Sequence, residues 1–248
     1  MLTEKRHSII LETVNRQHSV RLTELCEILN TSESTVRRDL AILNEKGLLT
    51  KVHGGAIAVG ETFSPVEYNM EEKSQLYTEE KTAIAKYAAA LIEDGDFVFI
   101  DAGTTTEKMI DFLPEKKATF VTNGLFHAKK LAQKGFKVFV LAGELKLSTE
   151  AVVGTECVLA LKNYNFTKSF LGANGVSLSC GITTPDPDEA SIKTAVISSS
   201  KTAYVLADHS KFDKITSVTF GNLNKVTIIT DKLNDKRYAS KAEIKEVQ

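Results

Sequence analysis

Cysteine is scarce and scattered. Cys26, Cys157 and Cys180 are three in 248 residues, with no Cys-x-x-Cys pair among them. An odd, widely spaced set excludes a disulfide framework and gives no zinc-site spacing, so free thiols in a reducing compartment are expected, with no metal and no cofactor. Long apolar runs are absent too. None approaches the roughly 18 to 20 residues that span a bilayer, and Glu4, Lys5, Arg6 and His7 near the start break up any signal-peptide core. A cytoplasmic protein with no membrane partner is the expectation. Charge of one sign is missing as well: the formal net charge is −1. Residues 1–59 carry eight Lys/Arg against seven Asp/Glu, a surplus of one. Any nucleic-acid binding must come from placement of cations and not from bulk charge. There is no internal repeat and no low-complexity segment.

The apolar fraction of 42% supports a real core, and the length suits one large domain or a small domain joined to a medium one. Near the N-terminus, Ile9, Ile10 and Val14 mark a helix from Thr3 to about Gln17, and Leu22, Leu25, Ile28 and Leu29 mark a second. Asn30-Thr31 breaks the chain. Ser32 can then accept from free amides of the next helix and Glu33 suits its positive end, while Val36, Leu40 and Leu43 form an inward stripe. Ser34, Thr35, Arg37 and Arg38 remain outside, the hydroxyls and guanidiniums that a major groove admits. An ordinary solvated helix would look the same in isolation, but the neighbours complete a helix-turn-helix layout. After Gly47, residues 48–53 and 56–59 flank Gly54-Gly55, whose freedom to take positive backbone angles predicts a hairpin. That hairpin is a wing. Arg21, Lys51 and His53 join Ser32, Ser34, Thr35, Arg37 and Arg38 as DNA-contact candidates, although exposure alone would also explain the wing residues.

Residues 60–77 show little periodicity and are expected to be a linker. From residue 78 to 231, short apolar strands alternate with helices, beginning with a helix marked by Ile84 to Ile92 and the strand Phe97-Val98-Phe99-Ile100. Further strands are expected at 119–122, 137–141, 168–171, 203–206, 217–220 and 226–230, with helices near 105–113, 124–134, 154–162 and 187–199. This pattern argues for an α/β domain with a mainly parallel sheet, whose ligands bind at carboxyl ends of strands. Residues 232–248 are mostly charged, consistent with a surface helix or tail.

Several strand ends carry polar loops. Asp101-Ala102-Gly103-Thr104-Thr105-Thr106 closes a strand and opens a helix, where hydroxyls and free amides can hold a phosphate. An ordinary helix cap has the same appearance, and the loop does not match the P-loop pattern. Asn123, Asn174-Gly175 and Asp208-His209-Ser210-Lys211 end other strands. Glu189 and Lys193, four apart, can either line the same site or form a surface pair. Together these loops point to a phosphorylated small molecule. His127 and His209 have no convincing nucleophile and carboxylate arrangement, so a structural role is expected for each and no catalytic residue is assigned.

The segment 31–40, then Gly47-Leu48-Leu49 and Val52-His53-Gly54-Gly55-Ala56, closely resembles the DeoR family of bacterial transcription regulators. The resemblance continues through Asp101-Ala102-Gly103-Thr104-Thr105, Thr122-Asn123, Gly143-Glu144, Val153-Gly154, residues 170–175, Gly181-Ile182-Thr183-Thr184 and residues 208–212. It implies a winged helix-turn-helix followed by an isomerase-like α/β effector domain reused to bind phosphorylated sugars. The related pentose-phosphate isomerases have Gly-Ala-Asp-Glu where this chain has Gly172-Ala173-Asn174-Gly175, and their catalytic glutamate falls on Lys193. Both differences remove acids, which implies sensing without turnover. Ala142 also replaces the usual first glycine of a Gly-Gly-Glu turn.

The resemblance further implies a repressor of a carbohydrate uptake or catabolism operon, bound to double-stranded operator DNA as a dimer or tetramer. Residues 146–149 and 183–186 are most similar to those of fructose operon repressors of Gram-positive bacteria, which implies fructose 1-phosphate as inducer. Tagatose or galactitol phosphates, and activation in place of repression, remain alternatives. Expected ligand contacts are Asp101, Gly103, Thr104, Thr105, Thr106, Asn123, Lys146, Asn174, Gly175, Glu189, Lys193, Asp208 and Lys211.

Overall fold

A computed structural model describes residues 3–17, 19–52, 54–58, 61–64 and 69–247. The chain divides into two compact units, Met1–Thr62 and Phe63–Gln248.

In the first unit, α1 (Thr3–Gln17), α2 (Leu22–Leu29) and α3 (Glu33–Glu45) pack on a three-stranded sheet of β1 (Ser19–Arg21), β2 (Leu49–Val52) and β3 (Gly55–Ala58). Its core is Ile10, Val14, Leu25, Leu29, Val36, Leu40, Leu43 and Leu49 with smaller neighbours. Leu40 is buried, so truncating it to Ala would cost about 2–5 kcal/mol. Asn30 takes a left-handed conformation (φ 45°) that stops α2, and the Thr31 amide bonds back to the Cys26 carbonyl. The Ser32 hydroxyl then accepts from the Thr35 amide at 3.4 Å and starts α3. A part-buried cluster joins the first helix to the third: Arg6 Nε lies 2.5 Å and His7 Nε2 3.1 Å from the buried Asp39 carboxylate. Hydrogen bonding from Arg6 holds that carboxyl below its usual range.

The wing is present, with one strand more than expected. β3 pairs antiparallel with β2 and also with β1, which the sequence reading had left as a link between helices. Of the two wing glycines only Gly54 has a positive φ, at 89°. Gly55 serves a different need, because a Cβ there would run into the Val20 carbonyl of β1.

The second unit is an α/β layer structure. Its main strands and helices, in chain order and leaving aside a two-residue strand at Lys214–Ile215 and short 3-10 turns, are α4 (Met70–Gln75), α5 (Thr78–Ala90), β4 (Phe97–Ile100), α6 (Thr104–Asp111), β5 (Thr119–Thr122), α7 (Leu125–Gln133), β6 (Lys137–Val140), β7 (Glu144–Lys146), β8 (Ala151–Val153), α8 (Thr155–Leu161), β9 (Phe166–Gly172), β10 (Gly175–Ser177), β11 (Gly181–Thr184), α9 (Pro187–Ser198), β12 (Ser200–Leu206), β13 (Val218–Gly221), β14 (Thr227–Thr230) and β15 (Glu243–Glu246). A seven-stranded parallel sheet runs β15-β14-β12-β9-β4-β5-β6. Successive strand residues point to opposite faces: Phe99 and Leu171 join one core cluster, while Val98, Ile100 and Phe170 join the other. Burial on both faces explains why Phe97–Ile100 is apolar throughout.

Three expectations are corrected. The supposed linker 60–77 contains α4, started by a reciprocal Asn69–Glu72 capping box. The strand expected at 217–220 leaves the main sheet and pairs in an antiparallel sheet ordered β10-β11-β13. The charged C-terminus is no surface tail: a short 3-10 helix, Lys236–Ser240, leads into β15, which pairs parallel with β14, burying Val247 and bringing Thr227 Oγ1 to 3.0 Å from Glu243. An edge strand needs only one well-covered face, so its sequence can be mostly charged.

Candidate functional site

In the first unit, α3 presents Ser34, Arg37 and Arg38 exposed and Thr35 half-buried, opposite the Val36, Leu40 and Leu43 stripe. Arg37 pairs with Glu33 at 3.1 Å, both side chains about half exposed. The Ser32 hydroxyl is spent locally on the helix start and lies 3.0 Å from the hydroxyls of Ser34 and Thr35. Lys51 is exposed on β2, which is tied to α3 through its amide and the Asn44 side chain at 2.8 Å. Arg21 is exposed where β1 meets α2. His53 lies outside the described residues.

In the second unit, a cavity of about 220 Å³ opens at the carboxyl ends of three adjacent strands, β4, β9 and β12. Chain neighbours of those ends form its floor. Asp101 to Thr106 follow β4, Gly172 to Asn174 close β9, and Asp208, Ser210 and Lys211 follow β12. Lys193 and Glu189 reach it from α9, which Asp186 caps by accepting from the Glu189 amide at 2.9 Å with Pro187 in the first turn. Met70, Lys73, Leu76, Tyr77 and Lys81 supply another wall from α4, α5 and the junction between them.

Charge is organised within this cavity. The Asp101 carboxylate accepts from the buried Lys193 ammonium and from the Gly172 amide at 3.0 Å; Lys193 also donates to the Gly172 carbonyl at 3.2 Å. Burial pushes the Asp101 carboxyl above its ordinary range, against the pull of Lys193 and the Gly172 amide. Among the described residues, two further lysines of the wall, Lys81 and Lys211, have no such carboxylate clamp. Lys81, which the sequence reading missed, is buried, and desolvation brings its ammonium down to about 8, with Lys211 adding repulsion. It donates to the Lys73 carbonyl. Burial likewise lowers Lys211, partly offset by Asp208. The adjacent α6 begins at Gly103, which offers no side-chain cap, so the first amides of that helix are available to an anion. Buried cations with unspent helix amides make an anion site.

Three expected ligand residues lie off the cavity wall, and two others border it with their side chains already engaged. The Asn123 side chain is buried outside the cavity wall, where its oxygen accepts from the Ala102 amide at 3.0 Å and holds the Asp101 loop. Thr106 borders the cavity, but its fully buried hydroxyl donates to the Asp101 and Gly103 carbonyls at 2.6 and 2.8 Å. Gly175 lies away from the wall; a Cβ there would run into the Lys214 carbonyl. Lys146 sits behind the wall, 2.9 Å from Asp186 and 3.3 Å from Glu189. Glu189 is therefore no surface partner of Lys193: its carboxylate takes Lys146 and the Thr149 hydroxyl at 2.8 Å, while Lys193 takes Asp101. A four-residue spacing placed both on one helix but could not choose between partners from distant segments.

His127 is structural. Its Nε2 lies 3.3 Å from the Gly103 amide and 3.1 Å from its carbonyl, and burial lowers the imidazole to about 4, so it stays neutral. His209 Nδ1 is 2.7 Å from Asp231, with the Tyr77 ring edge-on to it. No helix of the described residues is long and apolar enough to cross a membrane.

A winged helix-turn-helix followed by an α/β unit with a cation-lined cavity is the build of a ligand-responsive DNA-binding regulator. The model for the DeoR-like helix-turn-helix domain matches residues 6–62, and that for the DeoR C-terminal sensor domain matches residues 77–232. The chain belongs to the DeoR family of transcriptional regulators, not to a family of enzymes. It is 43% identical to the HTH-type transcriptional regulator FruR of Bacillus subtilis over the full length of both chains. It is 38% identical to the lactose phosphotransferase system repressor of Staphylococcus epidermidis, covering 94% of each. Among solved structures, ribose 5-phosphate isomerase A of Methanocaldococcus jannaschii aligns over 54% of each chain with 18% identity and a TM-score of 0.41.

Proposed function

We propose that the protein represses a carbohydrate uptake or catabolism operon and leaves its operator when a phosphorylated sugar, fructose 1-phosphate as first choice, occupies the strand-end cavity. The observation that carries this reading is the placement of buried Lys81 and half-buried Lys211 with the uncapped start of α6 around one cavity. The phosphate sits there, against the Thr104 and Thr105 amides and hydroxyls. Asp101, Asn174, Glu189 and Thr149 border the same cavity and supply acceptors for sugar hydroxyls. Lys193 keeps its pairing with Asp101 and serves the sugar end, because its charge is already compensated. The lactose phosphotransferase system repressor among the relatives supports repression in answer to an imported sugar.

Ser34, Thr35, Arg37 and Arg38 meet the major groove, with Arg21 and Lys51 on phosphates, and two or more copies read repeated half-sites. Calorimetric titration of the full chain with fructose 1-phosphate, tagatose and galactitol phosphates, and unphosphorylated fructose tests the ligand. Tight binding of fructose 1-phosphate with no heat from fructose is expected. Preference for another phosphate ester replaces the named inducer, and equal binding of free fructose contradicts the phosphate site.

A further inference from the structure

The seven-stranded sheet has two edges of opposite character. β15 carries Glu243, Lys245 and Glu246, charges that guard an edge against pairing, whereas β6 reads Lys137-Val138-Phe139-Val140. Among the described residues β6 pairs with β5 alone, so its other side is open. The Leu141 amide bonds to the Thr122 carbonyl at 3.0 Å, and successive residues of a strand turn their amides and carbonyls to alternate sides. Lys137 and Phe139 therefore address β5. Val138 and Val140 address the outer edge.

Large apolar side chains gather at this edge. Leu145 and Leu147 follow Phe139 and Val140 just beyond the strand, and the Gly124–Ala151 bridge sets Leu125 and Phe126, at the start of α7, beside the β7–β8 hairpin. The six are 40–81% exposed. At about half of roughly 200 Å² each they offer about 600 Å², the upper limit of an ordinary monomer's largest apolar patch and most of the roughly 800 Å² per partner in a stable interface. Charge also has a direction along the edge. Lys134 and Lys137 are exposed at its amino end, and Glu144 is exposed past its carboxyl end.

We infer that β6 is a homodimer interface, pairing antiparallel with β6 of a second copy about a two-fold axis at Phe139. Val138 of each copy then faces Val140 of the other and exchanges both backbone bonds, while the two Phe139 rings meet as the intervening non-bonded pair, where side chains come closest. The same arrangement sets the lysine end of each strand against the glutamate end of its twin. A foreign strand could take the backbone bonds without this reciprocity, and the single self-complementary patch is what a two-fold contact uses. Such a dimer also supplies the two DNA-reading units that paired half-sites need.

Sedimentation of the full chain across micromolar concentrations tests this, for wild type, Phe139→Glu, Phe139→Lys and an equal mixture of the two variants. Wild type should be dimeric, and each variant alone should raise the dimer dissociation constant at least about 30-fold, the effect of losing a central aromatic anchor. Mixing should restore the dimer, because opposite charges then meet on the axis. Recovery on mixing also shows that both variants fold. Hydrogen exchange at the Val138 and Val140 amides should be slow in wild type; fast exchange there overturns the interface even if a variant fails to fold. A monomeric wild type, dimers that survive both substitutions, or folded monomeric variants that do not recover on mixing would each overturn it as well.

Discussion

Lys193 on α9 and Asp101 at the end of β4, 92 residues apart in sequence, form a buried ion pair that borders the cavity. Their side chains are 5% and 3% exposed, so neither charge has water to fall back on. Removing one partner should therefore cost more than removing both. Asp101→Asn is expected to destabilise the second unit by about 3–5 kcal/mol, and Asp101→Asn with Lys193→Met to recover a large part of that loss. Urea unfolding of the single and double variants measures it. Equal losses in the two would mean that the pair contributes through its hydrogen bonds to Gly172 alone.

Neutral His127 gives the fold a pH dependence on the acid side. Its folded-state value of about 4 lies below the ordinary 6.5, so between those values the unfolded chain binds the extra proton. The contribution is fully present above about pH 6.5 and is lost as pH falls toward 4, amounting to about 3 kcal/mol at most. His127→Gln should flatten the fall in stability over that window. An unchanged slope between pH 6.5 and 4 would show that other groups set the acid limit.

Effector affinity should depend on pH at the alkaline end. Lys81 titrates at about 8 in the free protein, and a bound phosphate stabilises its charged form, raising that value. Binding then takes up a proton above pH 8, and affinity falls as pH rises through 8 toward 9. Calorimetry in buffers of different ionisation heat reads the uptake directly. Lys81→Arg should remove it, since arginine stays charged throughout.

Much of this was legible because it is local. Val36, Leu40 and Leu43 recur at helical spacing, and the Gly103-Thr104-Thr105 loop stands between an apolar strand and a helix. What escaped depends on distant partners. The polar character of Asn123 marks a strand end, but only the fold shows that its oxygen meets the Ala102 amide and so supports the loop without touching the cavity. Lys81 looked like one more charged residue at a helix start until burial placed it in the wall. Helix α4 did leave a trace, because Asn69 and Glu72 stand at capping-box spacing within acidic, aperiodic surroundings. Glu243-Ile244-Lys245-Glu246 offered no apolar run, because β15 pairs on one side only.

On the DNA side, Arg38 is exposed on α3 and Arg37 is held only by a solvent-exposed pair, worth at most about 1 kcal/mol. Each is free to turn to a base edge or a phosphate. Arg38→Ala should weaken operator binding by about 1–3 kcal/mol if it reads a base, or lower the salt slope by about one if it meets a phosphate. Anisotropy at several salt concentrations separates the two, and no change in either property would remove Arg38 from the interface.

The central claim is that cavity occupancy controls DNA binding, and one titration addresses it most directly. Labelled DNA from upstream of the protein's own operon is held with the full chain at fixed salt while fructose 1-phosphate is added and anisotropy is followed. The account predicts release of the DNA, by about 5- to 150-fold in affinity for a coupling of 1–3 kcal/mol, with the response lost in Lys211→Met while DNA affinity without effector is kept. Undiminished DNA binding at concentrations where calorimetry shows the cavity filled would contradict it.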